Sequence, residues 1–434
     1  MIPKIGIVGD SMIDQYYSVQ IKKISPEFPI PVMHSLNEEC KICPGGAANV
    51  AYQFLHFNVD ARLISFLDKE ADLEFQKSKI NTENCLLIDN KIPRKKRFYS
   101  DNVPTYRWDV ENSLYGLEES ISDKCFELYS KNKEKVKDLD AIIFSDYDKG
   151  LFSNYDGNLS KFIKDTNISV VDPKSKNIDK WFGCTVFKPN YLEATTFSGK
   201  SDITEAGFWI KSRIKCKYVI ITNAEKSIFI IGGDNKDNYW SKEIKPKTNI
   251  GFAQSVIGAG DCFTAMLTYK LVKNFSIEES VEFACKASSN YVKNKFNSPV
   301  CEPCLLEEKY IEDPKILNKR SFKLVLTNGY FDSLQGDHID LLKFAKSKGD
   351  RLVVALNSES NLQIKDRIKI LSSLEFVDFI VSCSESNLSD LIKKIKPDVL
   401  IKGLKCGKNQ IIGSNNVTET LFFPAIKDLI TKED

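Results

Sequence analysis

Histidine is nearly absent: His34, His56 and His338 are the only three in 434 residues. That scarcity leaves little material for a histidine-rich metal site, and the cysteines do not replace it. Of the 12 cysteines, two pairs stand three residues apart, Cys40-Lys41-Ile42-Cys43 and Cys301-Glu302-Pro303-Cys304. The two pairs lie far apart along the chain rather than at the close separation of a zinc motif, and most of the others lie in apolar runs such as Phe283-Ala284-Cys285, where a free thiol packs as a small hydrophobe. An excess charge of one sign is also missing. With 61 basic and 59 acidic residues the formal charge is +2, so no global field marks the chain for nucleic acid or an anionic membrane. Any anion site must therefore be local. Nothing approaches the ~20 apolar residues of a spanning helix, and the N-terminus enters a strand-like segment at once. A cytoplasmic protein with neither nucleic-acid nor membrane partners is expected. Internal repeats and low-complexity tracts are absent as well.

What is present is a globular composition, 42% hydrophobic and 28% charged, on a chain long enough for two domains. Short β-branched runs ending in small or acidic residues recur between longer amphipathic stretches: 5–10, 141–146, 168–172, 185–190 and 218–223. Such alternation predicts parallel strands joined by crossover helices. Ligands of these sheets gather beyond the carboxyl ends of the strands, where Asp10, Asp146, Asp172 and Asn190 fall. Residues 11–34 and 93–112 alternate polar and apolar side chains without a helical period, as a small separate sheet does. A lid over the site is a natural use for it. The chain turns Pro- and charge-rich from Cys301 to Arg320, and a fresh strand pattern begins at Phe322. The expected division is a first domain over 1–304, a linker over 305–320 and a second parallel α/β domain over 321–434.

The chemistry gathers at Gly258-Ala259-Gly260-Asp261, which opens a helical pattern running on through Leu271. Glycines let a phosphate approach the backbone closely, and helix N-terminal amides offer donors with a favourable dipole. Asp261 at that mouth can take a proton from an attacking hydroxyl while Gly258, Ala259 and Gly260 hold the phosphoryl group. The same four residues also fit a glycine-rich helix start with Asp261 as its cap.

Gly9-Asp10, Asp14, Pro44-Gly45-Gly46-Ala47-Ala48-Asn49, Ser145-Asp146-Tyr147 and Asn190-Tyr191-Leu192-Glu193 precede this turn in the order seen in ribokinase-like (PfkB) sugar kinases, which the first domain resembles. Residues 24–32, Val171-Asp172-Pro173-Lys174 and Lys188-Pro189-Asn190 sharpen the resemblance to the bifunctional heptose 7-phosphate kinase and heptose 1-phosphate adenylyltransferase family of lipopolysaccharide precursor synthesis. The resemblance implies an α/β fold: a ribokinase-like sandwich with a small β lid. It implies that Asp14, Gly45, Gly46 and Asn49 hold sugar hydroxyls, and that Arg97 and Arg107 reach in from the lid, where a phosphosugar's phosphate is the matching partner. For ATP it implies Lys174, Asn190, Glu193, Thr222, Asn223 and Glu225, with Glu193 contacting Mg²⁺ indirectly through water. A homodimer is expected by the same analogy. Ser255, Ser227 and Cys285 stand where the family has Asp, Gly and Asn, so dependence on a monovalent cation is left open and ATP affinity is put in question.

Residues 326–338, Leu-Thr-Asn-Gly-Tyr-Phe-Asp-Ser-Leu-Gln-Gly-Asp-His, resemble a nucleotidyltransferase signature with two histidines at a helix start, which implies a second, smaller Rossmann-like α/β domain. Gln335 replaces the first histidine and Asp337 replaces a glycine, putting an anion where a triphosphate should pass. We expect this domain to be inactive, with Phe331, Asp332, His338 and Lys402 as its residual nucleotide site. The expected activity is therefore ATP-dependent phosphorylation of the anomeric hydroxyl of D-glycero-D-manno-heptose 7-phosphate. A fully bifunctional enzyme, a kinase for another sugar and a non-catalytic sugar-nucleotide binder are the alternatives.

Overall fold

The computed structural model describes residues 2–423 apart from 37–39, 101–102, 112–126, 129, 133, 153–158, 160–162, 164–165, 175, 225, 246–256, 293–297, 307, 361 and 404–416. The chain divides into two units, Met1–Val300 and Cys301–Asp434. Described elements of the first are β1 (Lys4–Gly9), β2 (Ser11–Ile24), β3 (Pro31–Ser35), β4 (Lys41–Gly46), α1 (Ala47–Tyr52), β5 (Asp60–Ile64), β6 (Phe66–Leu67), α2 (Lys69–Lys77), β7 (Leu86–Leu87), β8 (Arg94–Ser100) and β9 (Val103–Val110). Then follow β10 (Ala141–Ser145), β11 (Ser169–Asp172), β12 (Val186–Phe187), α3 (Tyr191–Ser198), α4 (Ile203–Ile214), β13 (Tyr218–Asn223), β14 (Ser227–Gly232), β15 (Trp240–Ile244), α5 (Ala259–Val272) and α6 (Ile277–Tyr291).

The β-branched runs become an eight-stranded sheet in the order β15-β14-β13-β12-β11-β10-β1-β5. From β13 to β5 every pairing is parallel, and β14 and β15 add on antiparallel. Ile5, Ile7, Val8, Ile142, Ile143, Phe144, Val170 and Val171 are all fully buried. Continuous apolar runs, rather than alternation, are what strands covered on both faces require. The strand expected over 185–190 is shorter than its sequence suggests, only Val186–Phe187. Pro189 has no N–H for a ladder, and Asn190 is drawn off to cap α3, accepting from the Glu193 amide at 2.8 Å.

The two alternating stretches do form a separate sheet, β3-β2-β8-β9, with β4 also paired to β2. Parallel pairing of β2 with β8 sets Asp14 beside Lys95 and Tyr16 beside Arg97. Antiparallel pairing of β8 with β9 continues each row, Lys95 to Asp109 and Arg97 to Arg107. Alternation thus puts Asp14, Lys95, Arg97, Arg107 and Asp109 on one face and Arg94 and Lys96 on the other.

In the second unit, β16 (Leu324–Gly329), α7 (Gly336–Ser347), β17 (Arg351–Asn357), α8 (Ile364–Ser372), β18 (Phe379–Cys383), α9 (Leu388–Ile395), β19 (Val399–Gly403) and β20 (Glu419–Phe423) build an all-parallel sheet ordered β18-β17-β16-β19-β20. Two apolar clusters cover its faces, one around Leu326, Val353 and Ile392, the other around Val325, Leu342 and Val354. Residues 305–320, expected as a linker, pack onto this unit: Leu317 lies fully buried in the first cluster, and the Ile311 amide donates to Ile380 at 2.8 Å. Among the described residues no helix is long and apolar enough to cross a membrane.

Candidate functional site

The turn into α5 is built around one glycine that cannot be replaced. Gly258 has φ +77°, and a Cβ there would sit 2.3 Å from the Tyr291 hydroxyl and 2.6 Å from Asn49 Nδ2. Left-handed backbone and steric closure both call for glycine. Asp261 follows in the first turn, but it does not cap the helix. Its Oδ1 accepts from the Tyr147 hydroxyl at 2.6 Å and its Oδ2 from Asn49 Nδ2 at 2.7 Å. Both donors come from elsewhere in the fold, one from the loop after β10 and one from α1. Burial pushes the Asp261 carboxyl up to about 7; the bonds from Tyr147 and Asn49 pull the other way, Asp172 repels and Lys188 attracts. Tyr147 is itself held far above the usual phenol range by burial and by the Asp261 charge, so it stays a donor.

Asn49 was expected to hold a sugar hydroxyl. In the structure its amide donates to Asp261, and its own Oδ1 accepts from Gln53 Nε2 at 3.0 Å. Lys188 lines the cleft beside this helix start and was not singled out by the site reading. Its ammonium is buried, pairs with Asp172 at 3.0 Å, and lies 4.0 Å from where a Gly260 Cβ would stand, so a positive charge faces the helix start. Thr264, one turn into α5, holds Asp172 from the other side at 3.0 Å. The available signals were Tyr147 next to the carboxyl end of β10 and Lys188 just before Pro189-Asn190.

A cleft of about 710 Å³ opens beside this helix start, lined on its polar side by Asp172, Lys174, Lys188, Asn190 and Glu193. Its apolar wall is Leu192, Ala224, Ile228, Phe263, Cys285 and Val292. Thr222 and Asn223 line it too, at the end of β13, whereas Glu225 and Ser255 lie outside the described residues. Asn190 and Glu193 are bound to each other in a capping box, and Lys174 pairs with Glu193 at 3.1 Å on the rim. Their side chains therefore serve α3 as well as facing the cleft. Of the strand-end acids, Asp10 turns out to be structural. Its carboxylate accepts the Tyr147, Lys149 and Leu151 amides at 3.0–3.1 Å, clamping the loop that carries Tyr147.

On the lid side Asp14 is buried and accepts from Arg97 Nη2 at 2.9 Å. Gly45 is locked against them: a Cβ would lie 2.7 Å from Met12 Cγ and 2.9 Å from Asp14 Oδ2. Gly46, at φ +60°, meets the Asp10 carbonyl just as closely. The Arg94–Arg97 segment is not a solvated basic face, because both arginines are buried, Arg94 on Asp68 at 2.7 Å. Arg107 shares the face of Arg97 but is drawn aside, exposed and paired with Asp109 at 2.6 Å. Lys95, a neighbour that sequence reasoning passed over, lies 5.6 Å from the Tyr147 ring centroid, and burial lowers its ammonium pKa.

In the second unit the strand order reverses beside β16, and Lys402 at the end of β19 donates to Asn328 at the end of β16. This is the crevice where such sheets bind ligands. Phe331, at φ +51°, stacks edge-on against His338 with centroids 5.4 Å apart. His338 Nδ1 accepts from the Gln335 amide at 3.1 Å. Asp332 accepts from Ser360 and lies 3.6 Å from the buried Arg367. Asp337 occupies the first turn of α7.

Comparison with known proteins matches residues 3–296 to the pfkB family of carbohydrate kinases and residues 326–421 to cytidylyltransferase-like proteins. The bifunctional protein HldE of Campylobacter fetus subsp. fetus is 32% identical over 95% of this chain and 94% of that one. HldE of Nitratiruptor sp. is 30% identical, over 96% and 95%. Among solved structures, phosphofructokinase-2 from Escherichia coli in complex with potassium is similar with a TM-score of 0.55 at 17% identity, over 70% of this chain and 97% of that one. Ribokinase from Thermotoga maritima gives 0.52 at 17%, over 69% and 97%. These two likenesses speak for the fold.

Proposed function

The chain belongs to the pfkB family of carbohydrate kinases and, over nearly its whole length, to the family of the bifunctional protein HldE; on that premise we propose that its kinase domain, residues 1–304, phosphorylates the anomeric hydroxyl of a heptose 7-phosphate with ATP. One observation carries this reading: a buried carboxylate held by two side-chain donors, at a glycine helix start, beside a cleft large enough for a nucleotide. Asp261 takes the proton from the hydroxyl, and the oxygen attacks the γ-phosphorus in line. The first amides of α5 and Lys188 hold the charge on the group in transfer. Tyr147 and Asn49 keep the carboxylate aimed. Leu192, Ala224, Ile228 and Val292 suit the adenine, and Thr222 and Asn223 its sugar. Asp14, Gly45 and Gly46 face the sugar, with Lys95 and Arg97 supplying positive charge for the phosphate already on it. Arg107 needs only to exchange Asp109 for that phosphate to join them.

Among the described residues no three acidic, cysteine or histidine side chains converge on a metal site. Asp172 is tied to Lys188, and Glu193 to its cap. This set fits a Mg²⁺ brought with the triphosphate: Asp172 and Glu193 would hold it through water, and it would supply neutralisation of the phosphate charge. The exposed apolar side chains Ile24, Phe28, Ile30 and Trp108 of the lid support a homodimer, which sedimentation tests.

For residues 321–434 we propose a cytidylyltransferase-like fold without nucleotidyl transfer, because Asp337 stands in the turn that a triphosphate has to approach. The bifunctional reading has its own support, since the relatives align across this unit as well. Pyrophosphate release from ATP and heptose 1-phosphate decides between them. For the kinase the test is a mass-resolved ATP assay over a sugar panel with Asp261→Asn as control. Turnover of heptose 7-phosphate that the variant loses supports the proposal. Turnover of an unphosphorylated sugar alone reassigns the substrate.

A further inference from the structure

Between the two family-matched stretches lies a cysteine pair that neither covers. Cys301 opens the second unit, and Glu302–Leu305 follows as a single 3₁₀ turn carrying Pro303 at its start. Such a turn places residues three apart on one face. Cys301 Sγ accordingly lies 3.1 Å from Cys304 Sγ, and the Cys304 amide closes the turn on the Cys301 carbonyl at 3.1 Å. The two sulfurs are within about 1 Å of disulfide bonding distance, yet their surroundings differ. Cys301 has no exposed surface, whereas Cys304 is half-buried. The hydrogen bond between the two sulfurs holds the Cys304 thiol below its ordinary value, opposed by burial, helped by the Arg351 guanidinium and opposed by Asp378. Arg351 is itself kept in place by Asp378 at 3.0 Å. The same thiol–thiol bond and burial push Cys301 up. A partly exposed thiol whose pKa is lowered, beside a fully buried partner thiol, is the arrangement of an attacking and a resolving cysteine.

We propose that Cys301 and Cys304 form a reversible dithiol/disulfide site that exchanges with low-molecular-weight disulfides. The Cys304 thiolate attacks one sulfur of the reagent, RSSR, forming a mixed disulfide and expelling RS⁻. Cys301 then gives up its proton and attacks Cys304 Sγ, closing the 301–304 bond and expelling the second RS⁻. Two protein thiols are oxidised by two electrons and one reagent disulfide is reduced to two thiols. Cys43 and Cys85 act as internal controls, because burial pushes both thiols up to about 12.

The experiment equilibrates the full-length chain with glutathione disulfide, quenches with acid, alkylates under denaturing conditions and maps cysteines by mass spectrometry. The wild-type chain is expected to yield an internally bridged 301–304 peptide with Cys43 and Cys85 alkylated. Cys301→Ser should retain a glutathione adduct on Cys304, Cys304→Ser should carry none on Cys301, and Arg351→Gln should slow capture at Cys304 several-fold. Wild-type Cys301 and Cys304 that both remain alkylatable overturn the site. An adduct on Cys301 in the Cys304→Ser chain overturns the order of attack. The wild-type map needs no variant to fold, and a normal thermal transition for each variant validates the rest.

Discussion

Two helix starts in this chain look alike in sequence and behave differently in structure. At Gly258–Asp261, four side chains from distant parts of the first unit converge: Asn49 and Tyr147 on the carboxylate, Lys188 beside Gly260, and Tyr291 against Gly258. At Gln335–His338 the partners are local, the Gln335 amide on His338 and the Phe331 ring beside it, and a Cβ on Gly336 would meet nothing within 4 Å. A helix N-terminus is a generic anion site. What turns one into a kinase centre is the closed packing that fixes a base and a cation against it, and the second start lacks that enclosure on its helix side.

The strongest way to break the comparison is at Asp261. Asp261→Asn removes the proton acceptor while keeping its size and is expected to lower kcat by about 10³-fold, with ATP affinity changed little in a titration. Residual turnover near wild type would make the first start as generic as the second. Next in size is a matched pair of glycine substitutions. Gly258→Ala forces a Cβ onto Tyr291 and Asn49 at a left-handed φ and should cost about 2 kcal/mol or more in denaturant unfolding, with kinase activity falling alongside. Gly336→Ala enters open space and should stay within about 0.5 kcal/mol of wild type.

How much of this was legible in the sequence depends on the range of each interaction. Runs such as Ile142–Phe144 declare a strand buried on both faces, because nothing polar interrupts them. Gly258 to Asp261 declares a helix-start site because its parts are adjacent. The partners of Asp261 do not, since Tyr147 and Asn49 stand 114 and 212 residues away. Asn49 was read from the family resemblance as a sugar ligand, and its bond to Asp261 was not legible. Arg107 illustrates the opposite case: strand register puts it in a row with Arg97, but only coordinates show its pairing with Asp109, two residues on. Charge and proline content suggested a linker at 305–320, where Leu317 is in fact core; Leu305, Ile311 and Leu317, the buried apolar side chains among its described residues, leave little pattern among many polar ones.

A smaller effect sharpens the account of Asp261. The Tyr147 bond favours the ionised carboxylate, so Tyr147→Phe should move the acid limb of the kcat/KM profile to the alkaline side of about 7 while the plateau falls only several-fold. A base needed in its ionised form gives activity that rises with pH through that limb. An unshifted limb with a lower plateau would mean that Tyr147 contributes packing alone.

The smallest effect is on stability, and it separates the two units. Asp261 and Asp10 have carboxyl pKa values raised by burial to about 7 and about 6, so the folded first unit keeps protons that the unfolded chain releases near ~4. Their contribution to stability is therefore fully present below the unfolded value and is lost as pH rises through 6 and then 7. Both groups belong to the first unit, so that unit should soften over this window. Calorimetry of the whole chain from pH 5 to pH 8 should show the transition of the first unit moving to lower temperature, and Asp261→Asn should flatten that slope. If both transitions move together, or the variant keeps the wild-type slope, the buried carboxylate does not bear the charge that the kinase mechanism assigns to it.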